Sequence, residues 1–349
     1  ARGDMALAEH QVRTGAITPA QAAEKLERLR FAWRGDELEL DIVERLGDTY
    51  IQAGNYPAGF DTLRQAAALN PDNPRAARIT ERMSKVFTDL FSRDGAAKLK
   101  PLEALGLYDQ FKELTPVGAA GDAVIRNLAE RLVEIDLLGR AAELLQHQVD
   151  YRLQGVDKGK VGARLAAIRL LDSKPDDALK ALDASTVPDL PADLQAERRV
   201  LRARALSQLK RPAEALALLA QDSSLPAEML RVDIAWRAGQ WADAATALVK
   251  VIGPPPAADA PLPRETGKLV LNRAVALALA GDAPALEKLR SDFGPVMGKG
   301  PDADSFRVLT RPGQAGGLID MASIRSRVRE VDVFQSFLAG YRKKTTPEG

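Results

Sequence analysis

Residues 40–71 read LDIVERLGDTYIQAGNYPAGFDTLRQAAALNP, and this stretch decides the fold. Leu40, Val43, Leu46 and Tyr50 fall on one face of a helix, because positions three and four apart share a face. Gly54 and Asn55 interrupt it, and Gly59, Leu63 and Ala66 then repeat the same period before Pro71. The pattern predicts two short antiparallel helices. Gly47 and Gly59 carry no side chain, so the two helices can cross closely there, Tyr50 can fill the wedge beside the pair, and Pro71 cannot continue the second helix.

These residues resemble one tetratricopeptide repeat: a Leu46-Gly47 pair and Tyr50 on the first helix, a small residue at 59 where the second helix crosses it, then Ala66 and a closing Pro71. The large aromatic usual near position 43 is replaced by Val43. Weaker copies follow, at Leu128-Ala129 with Ala141 and Leu145, at Leu165-Ala166 with Ala178 and Leu182, and at Ala203 with Ala215 and Leu219. Val232 with Ala244 and Leu248, and Ala274 with Ala285 and Leu289, complete the series. From Ala141 through Ala178, Ala215 and Ala244 to Ala285 the spacings are 37, 37, 29 and 41 residues, scattered around that family's period of about 34, as degenerate repeats with variable loops would be. The resemblance implies an all-α fold, a right-handed superhelix of antiparallel helix hairpins. The interval 60–140 has room for two further hairpins, built on 75–93 and 101–114, that lack the motif. Residues 1–35 are then an N-terminal helical cap and 36–292 the repeats, with a Pro-rich loop at 253–264. Residues 293–349 form a Gly/Pro-rich break over 293–317 and a capping helix from Ile319 to Tyr341.

Local signals mark helix starts. Thr18, Pro19 and Gln21 form a capping box with a proline at the first helical position, and Asn73-Pro74 and Pro101 repeat the device. Across 349 residues, 28% are charged yet Lys and Arg (49) balance Asp and Glu (48), so no field of one sign is available to hold a nucleic-acid backbone. No apolar run approaches the length of a membrane span. The chain has 0 Cys, which excludes disulfides and thiolate chemistry and suits an exported protein, pointing towards the bacterial periplasm. It starts at Ala1 without a secretory leader, and is read as a fragment or processed product.

Chemistry-bearing patterns are few. His10 and His147 are the 2 histidines, and neither has a second histidine nearby to complete a metal set. Gly313 to Gly317 follows no strand, unlike a phosphate cradle. No catalytic, metal or cofactor residues are expected. Arg198, Arg199, Arg202 and Arg204 cluster on one helix, and Arg325, Arg327 and Arg329 on another, beside acids such as Glu197 and Glu330 that can pair with them.

The tetratricopeptide resemblance implies that first helices line a concave groove. Projected inward are Asp41, Glu44, Asp48 and Gln52, then Arg126, Glu130 and Glu134, then Ala163, Ala167 and Leu170, and finally Val200, Arg204, Met229, Asp233, Trp236 and Leu271. The family's clamp for a terminal carboxylate needs Asn and Lys or Arg, but Asp48, Glu130, Ala167, Arg204 and Asp233 stand in those places. The expected partner is therefore a protein or peptide, held by Asp41, Glu44, Asp48, Arg204, Met229, Asp233 and Trp236, with no nucleic acid and no membrane span. The function expected is a non-enzymatic interaction scaffold, in a bacterial envelope assembly. The alternatives are an accessory helical domain of a larger cell-wall or polysaccharide-processing enzyme, and a self-associating structural module.

Overall fold

The computed structural model describes residues 2–32, 37–69, 71–92, 94–257 and 260–311, and among them the regular structure is helix, without a strand. Among the described residues seventeen α-helices fall into two compact units that divide after Arg152. The first unit holds α1 (Arg2–Arg13), α2 (Pro19–Ala32), α3 (Glu37–Gln52), α4 (Tyr56–Leu69), α5 (Pro74–Leu90), α6 (Pro101–Gln110), α7 (Ala119–Glu134) and α8 (Leu138–Tyr151). The second holds α9 (Gly155–Leu171), α10 (Pro175–Ala184), α11 (Ala192–Gln208), α12 (Pro212–Leu219) and α13 (Leu225–Arg237). It continues with α14 (Trp241–Ile252), α15 (Arg264–Ala280), α16 (Ala283–Met297) and α17 (Ala303–Leu309).

The starts lie where local chemistry places them. The Thr18 amide donates to Gln21 Oε1 at 2.9 Å while the Gln21 amide donates to Thr18 Oγ1 at 3.2 Å, a reciprocal capping box. Asn73 Oδ1 accepts from the Arg75 amide at 2.9 Å ahead of α5. Before α6, the Lys100 amide donates to Glu103 Oε2 at 3.1 Å.

Six hairpins, α3/α4, α7/α8, α9/α10, α11/α12, α13/α14 and α15/α16, share one turn. Its second residue is left-handed: Gly54 (φ 78°), Asp136 (63°), Ser173 (56°), Lys210 (59°), Gly239 (70°) and Gly281 (72°). The following amide closes back five residues, as in Asn55 N–H to Tyr50 O (2.9 Å), Lys174 to Arg169 (2.8 Å) and Arg211 to Leu206 (2.9 Å). This satisfies a carbonyl that the helix end would leave bare. Five residues past the left-handed position, the second helix crosses the first on Gly59, Ala141, Ala178, Ala215 and Ala244, all buried. The sixth hairpin has Leu286 at that place, one residue beyond the expected Ala285; both are only half-buried, so this crossing does not demand a small residue. The crossing of α3 on α4 is tight. A Cβ on Gly47 would stand 2.6 Å from Leu63 Cγ, and one on Gly59 would stand 2.6 Å from Ile51 Cγ1.

Packing is serial. In the second unit each helix packs on its successor, and α9 meets α11 and α11 meets α13, so the first helices of three consecutive hairpins stand side by side. Tyr50 packs on Ala23, Leu26 and Leu46, carrying α3 onto α2.

Two expectations are corrected. Residues 75–114 make no hairpin pairs, but one long helix α5, the short α6 and two 3-10 turns. Here the chain wraps an aromatic core in which Phe60 lies 5.3 Å from Phe111 and 6.1 Å from Phe87, and Phe87 lies 4.8 Å from Phe91. The break expected over 293–317 begins later, because α16 runs on to Met297 through Pro295, and α17 follows. Phe293, Val296, Met297 and Phe306 are buried together there. Gly294, lacking a Cβ, relieves the clash that normally bars the residue before proline from a helix. The Pro-rich segment is helix-free at 253–257 and 260–263. The helix expected over 319–341 lies outside the described residues, as do Gly313 to Gly317 and Arg325, Arg327 and Arg329. No described helix is long and apolar enough to cross a membrane.

Candidate functional site

In the first unit, Asp41, Glu44 and Asp48 recur along α3 at spacings of three and four, which puts all three on one face. They are not an open acidic face. Arg75 of α5 reaches Asp41 at 2.8 Å and Glu44 at 2.7 Å, and Arg82, one face-repeat further, reaches Glu44 at 3.0 Å and Asp48 at 3.3 Å. Two guanidinium groups thus interleave three half-buried carboxylates and offset the repulsion that the carboxylates alone would have. The opposite charge for this face is supplied by the chain itself. Hydrogen bonds to Asp41 and then Glu44 hold the Arg75 pKa above its usual value. Burial pushes the Asp48 carboxyl up, against the opposing pull of Arg82. Arg75 and Arg82 went unseen in the sequence, although their seven-residue spacing matches that of Asp41 and Asp48.

The second unit places the remaining residues on two levels. Ala163, Ala167, Leu170, Val200 and Arg204 are buried, at 2, 4, 2, 5 and 3% exposure. They sit inside the unit rather than on a groove wall, which removes Arg204 from direct contact with a partner. Met229, Asp233, Trp236 and Leu271 stay half-buried at the surface. Asp233 accepts from Arg237 Nε at 2.9 Å, one turn along α13. Trp236 packs against the buried cluster of Val232, Ala247 and Leu248, and meets Trp241 edge-on with ring centroids 5.5 Å apart. Its indole N–H is buried without an acceptor, so Trp236 is a packing residue with one exposed flank.

Nearby, Glu228 is a buried carboxylate that the sequence did not single out. Arg231 and Lys250 both approach its Oε1 at 2.9 Å, tying α13 to α14. Removing either cation would leave a charge short of compensation inside the unit.

The arginines of α11 also find partners. Arg199 stands 3.4 Å from Asp222, and Arg202 pairs with Asp183. Arg198 is buried and donates to the Gly159 carbonyl at 2.9 Å, Ser185 Oγ at 3.0 Å and the Leu182 carbonyl at 2.6 Å. These hydrogen-bond partners lie on α9, on α10 and at the end of α10, while the Asp183 and Glu197 carboxylates act on Arg198 through their charge. Of the histidines, His10 Nδ1 lies 3.3 Å from Arg13, and the exposed His147 lies 5.2 Å from the Tyr151 ring. No group of three or more acidic, His or Cys residues that could hold a metal occurs among the described residues.

No protein-family model matches the chain, and no curated protein is similar to it in sequence.

Proposed function

We propose that this chain is a non-enzymatic scaffold of tetratricopeptide-like hairpins that holds a protein or peptide partner, the hairpins of its second unit coiling in a right-handed sense. The observation that carries the reading is the side-by-side stand of α9, α11 and α13 behind identical turns at Ser173, Lys210 and Gly239. Equal hairpins in series present first-helix side chains at a regular interval, a surface suited to an extended segment and made without a catalytic cluster.

Along that surface Met229, Asp233 and Trp236 are the positions open to a partner. Met229 offers adaptable apolar contact, Asp233 a charge already steadied by Arg237, and Trp236 an aromatic flank held rigid by Trp241. The test is affinity capture by the intact protein, compared with the Met229→Ala/Asp233→Asn double variant. Partner affinity should fall about ten-fold or more while the melting midpoint stays within about 2 °C of the parent. Unchanged capture by the variant removes this strip from the function. A mass that grows with concentration in light scattering, and is lost in the variant, reassigns the strip to self-association.

A further inference from the structure

The left-handed turn residue gives every first helix a common origin, and the places ten and six residues before it can be compared between the units. In α9 those places hold Ala163 and Ala167, and in α11 Val200 and Arg204, all at 5% exposure or less. There the joints are closed by direct packing, α9 on α11 and α11 on α13. In α3 the same two places hold Glu44 and Asp48.

The joint at α3 is ionic. α5 packs on α4 and α7, and its reach to α3 is made by the forks of Arg75 and Arg82. Glu44 is the member they share: its Oε2 lies 2.7 Å from Arg75 and its Oε1 3.0 Å from Arg82, so one carboxylate holds both arginines. It is also the most shielded, with 19% of its side chain exposed against 24–39% for Asp48, Arg75, Asp41 and Arg82. Groups this open are within reach of added ions, and the screening length shrinks from about 10 Å at 0.1 M salt to about 3 Å at 1 M. In the second unit Ala163, Ala167 and Val200 carry no charge to screen, and Arg204 is buried away from those ions.

We propose that the Arg75–Glu44–Arg82 bridge is a salt-responsive clasp. It fixes α5 against α3 at low ionic strength and lets go as ionic strength rises, leaving α5 to its packing on α4 and α7, while the joints of α9, α11 and α13 stay closed. Asp41 and Asp48 flank the bridge as outer partners of Arg75 and Arg82, so both forks stay near α3 and the clasp re-forms when salt is withdrawn. The two units thus answer the same change of medium differently, because equivalent helix positions carry charge in one and buried packing in the other.

Hydrogen exchange followed by mass spectrometry, on the intact protein at about 0.05 M and about 1 M NaCl, tests the clasp. Peptides over Glu37–Gln52 and Pro74–Leu90 should exchange about three-fold faster or more at the higher salt and slow again on dilution, with peptides over α9, α11 and α13 unchanged. Glu44→Gln should exchange over α3 and α5 at the fast rate in both salts. The chain has 0 Cys, so nitroxide labels on the exposed positions of Gln52→Cys and Lys85→Cys report the α3–α5 distance with no competing thiol. That distance should lengthen in the higher salt, a reading that stands even where Glu44→Gln weakens the fold. Exchange that salt does not quicken, a label distance that salt leaves fixed, an equal response of both units, or a full salt response kept by Glu44→Gln each overturns the clasp.

Discussion

Ser173 and Lys210 hold their backbones left-handed, at φ 56° and 59°, where a Cβ crowds the carbonyl that follows and the conformation is disfavoured by roughly 1–2 kcal/mol. The equivalent turns at Gly54, Gly239 and Gly281 avoid that strain. Ser173→Gly should therefore stabilise the protein by about 1 kcal/mol, since part of the relief is lost to greater freedom of the unfolded chain. A calorimetric midpoint that falls would show that Ser173 contributes something beyond its turn. Asp48 tests a second residue-level balance, burial against the attraction of Arg82 at 3.3 Å. Its folded pKa is raised above the ordinary 3.8, so the stabilisation it gives is complete below that value and is lost as pH rises through the folded pKa. Asp48→Asn keeps the side chain neutral at every pH. It should melt higher than the parent near pH 7 and no higher near pH 3, and the reverse ordering would mean that the Arg82 contact outweighs burial.

At the scale of elements, hairpins are held by turns and crossings together. Ala215 is 0% exposed where α12 crosses α11, among Ala203, Leu206, Leu219 and Leu230. Ala215→Leu adds three carbons to a space without room, which should destabilise by about 1–3 kcal/mol, measurable in urea melts. The same change at Ala285 should be milder, because that residue is half-buried and off the crossing. Small residues at a helical period made the crossings at 59, 141, 178, 215 and 244 legible, since a close approach of two helices demands them whatever lies elsewhere. The crossing at 285 was misplaced by one residue because Leu286 carries no such mark. Nor could the turns at Asp136, Ser173 and Lys210 be read, since aspartate, serine and lysine occur in every kind of local structure.

At the scale of the molecule, helices that pack on their neighbours in the chain transmit strain over short distances. Destabilising one hairpin of the second unit should loosen that unit while leaving the first untouched. Hydrogen exchange followed by mass spectrometry of Ala215→Leu should show faster exchange within α9–α14 and unchanged protection over Arg2–Arg152. Equal loss of protection throughout would show that the whole chain unfolds as one. The candidate surfaces belong to this scale as well. Met229, Asp233 and Trp236 keep exposed flanks while Arg204 is interior, although all four occupy comparable helical positions in the sequence.

Helical periodicity, small residues and capping residues determined the all-helical fold, most helix starts and the hairpin crossings, because each depends on residues only a few places apart. Which side chains meet across helices was decided by the tertiary structure alone. Arg75 and Arg82 close the acidic row of α3 from 31 or more residues away, and Arg198 hydrogen-bonds to carbonyls of α9 and α10. Long flexible side chains can satisfy their charges on several elements, and only the packed positions of those elements select one.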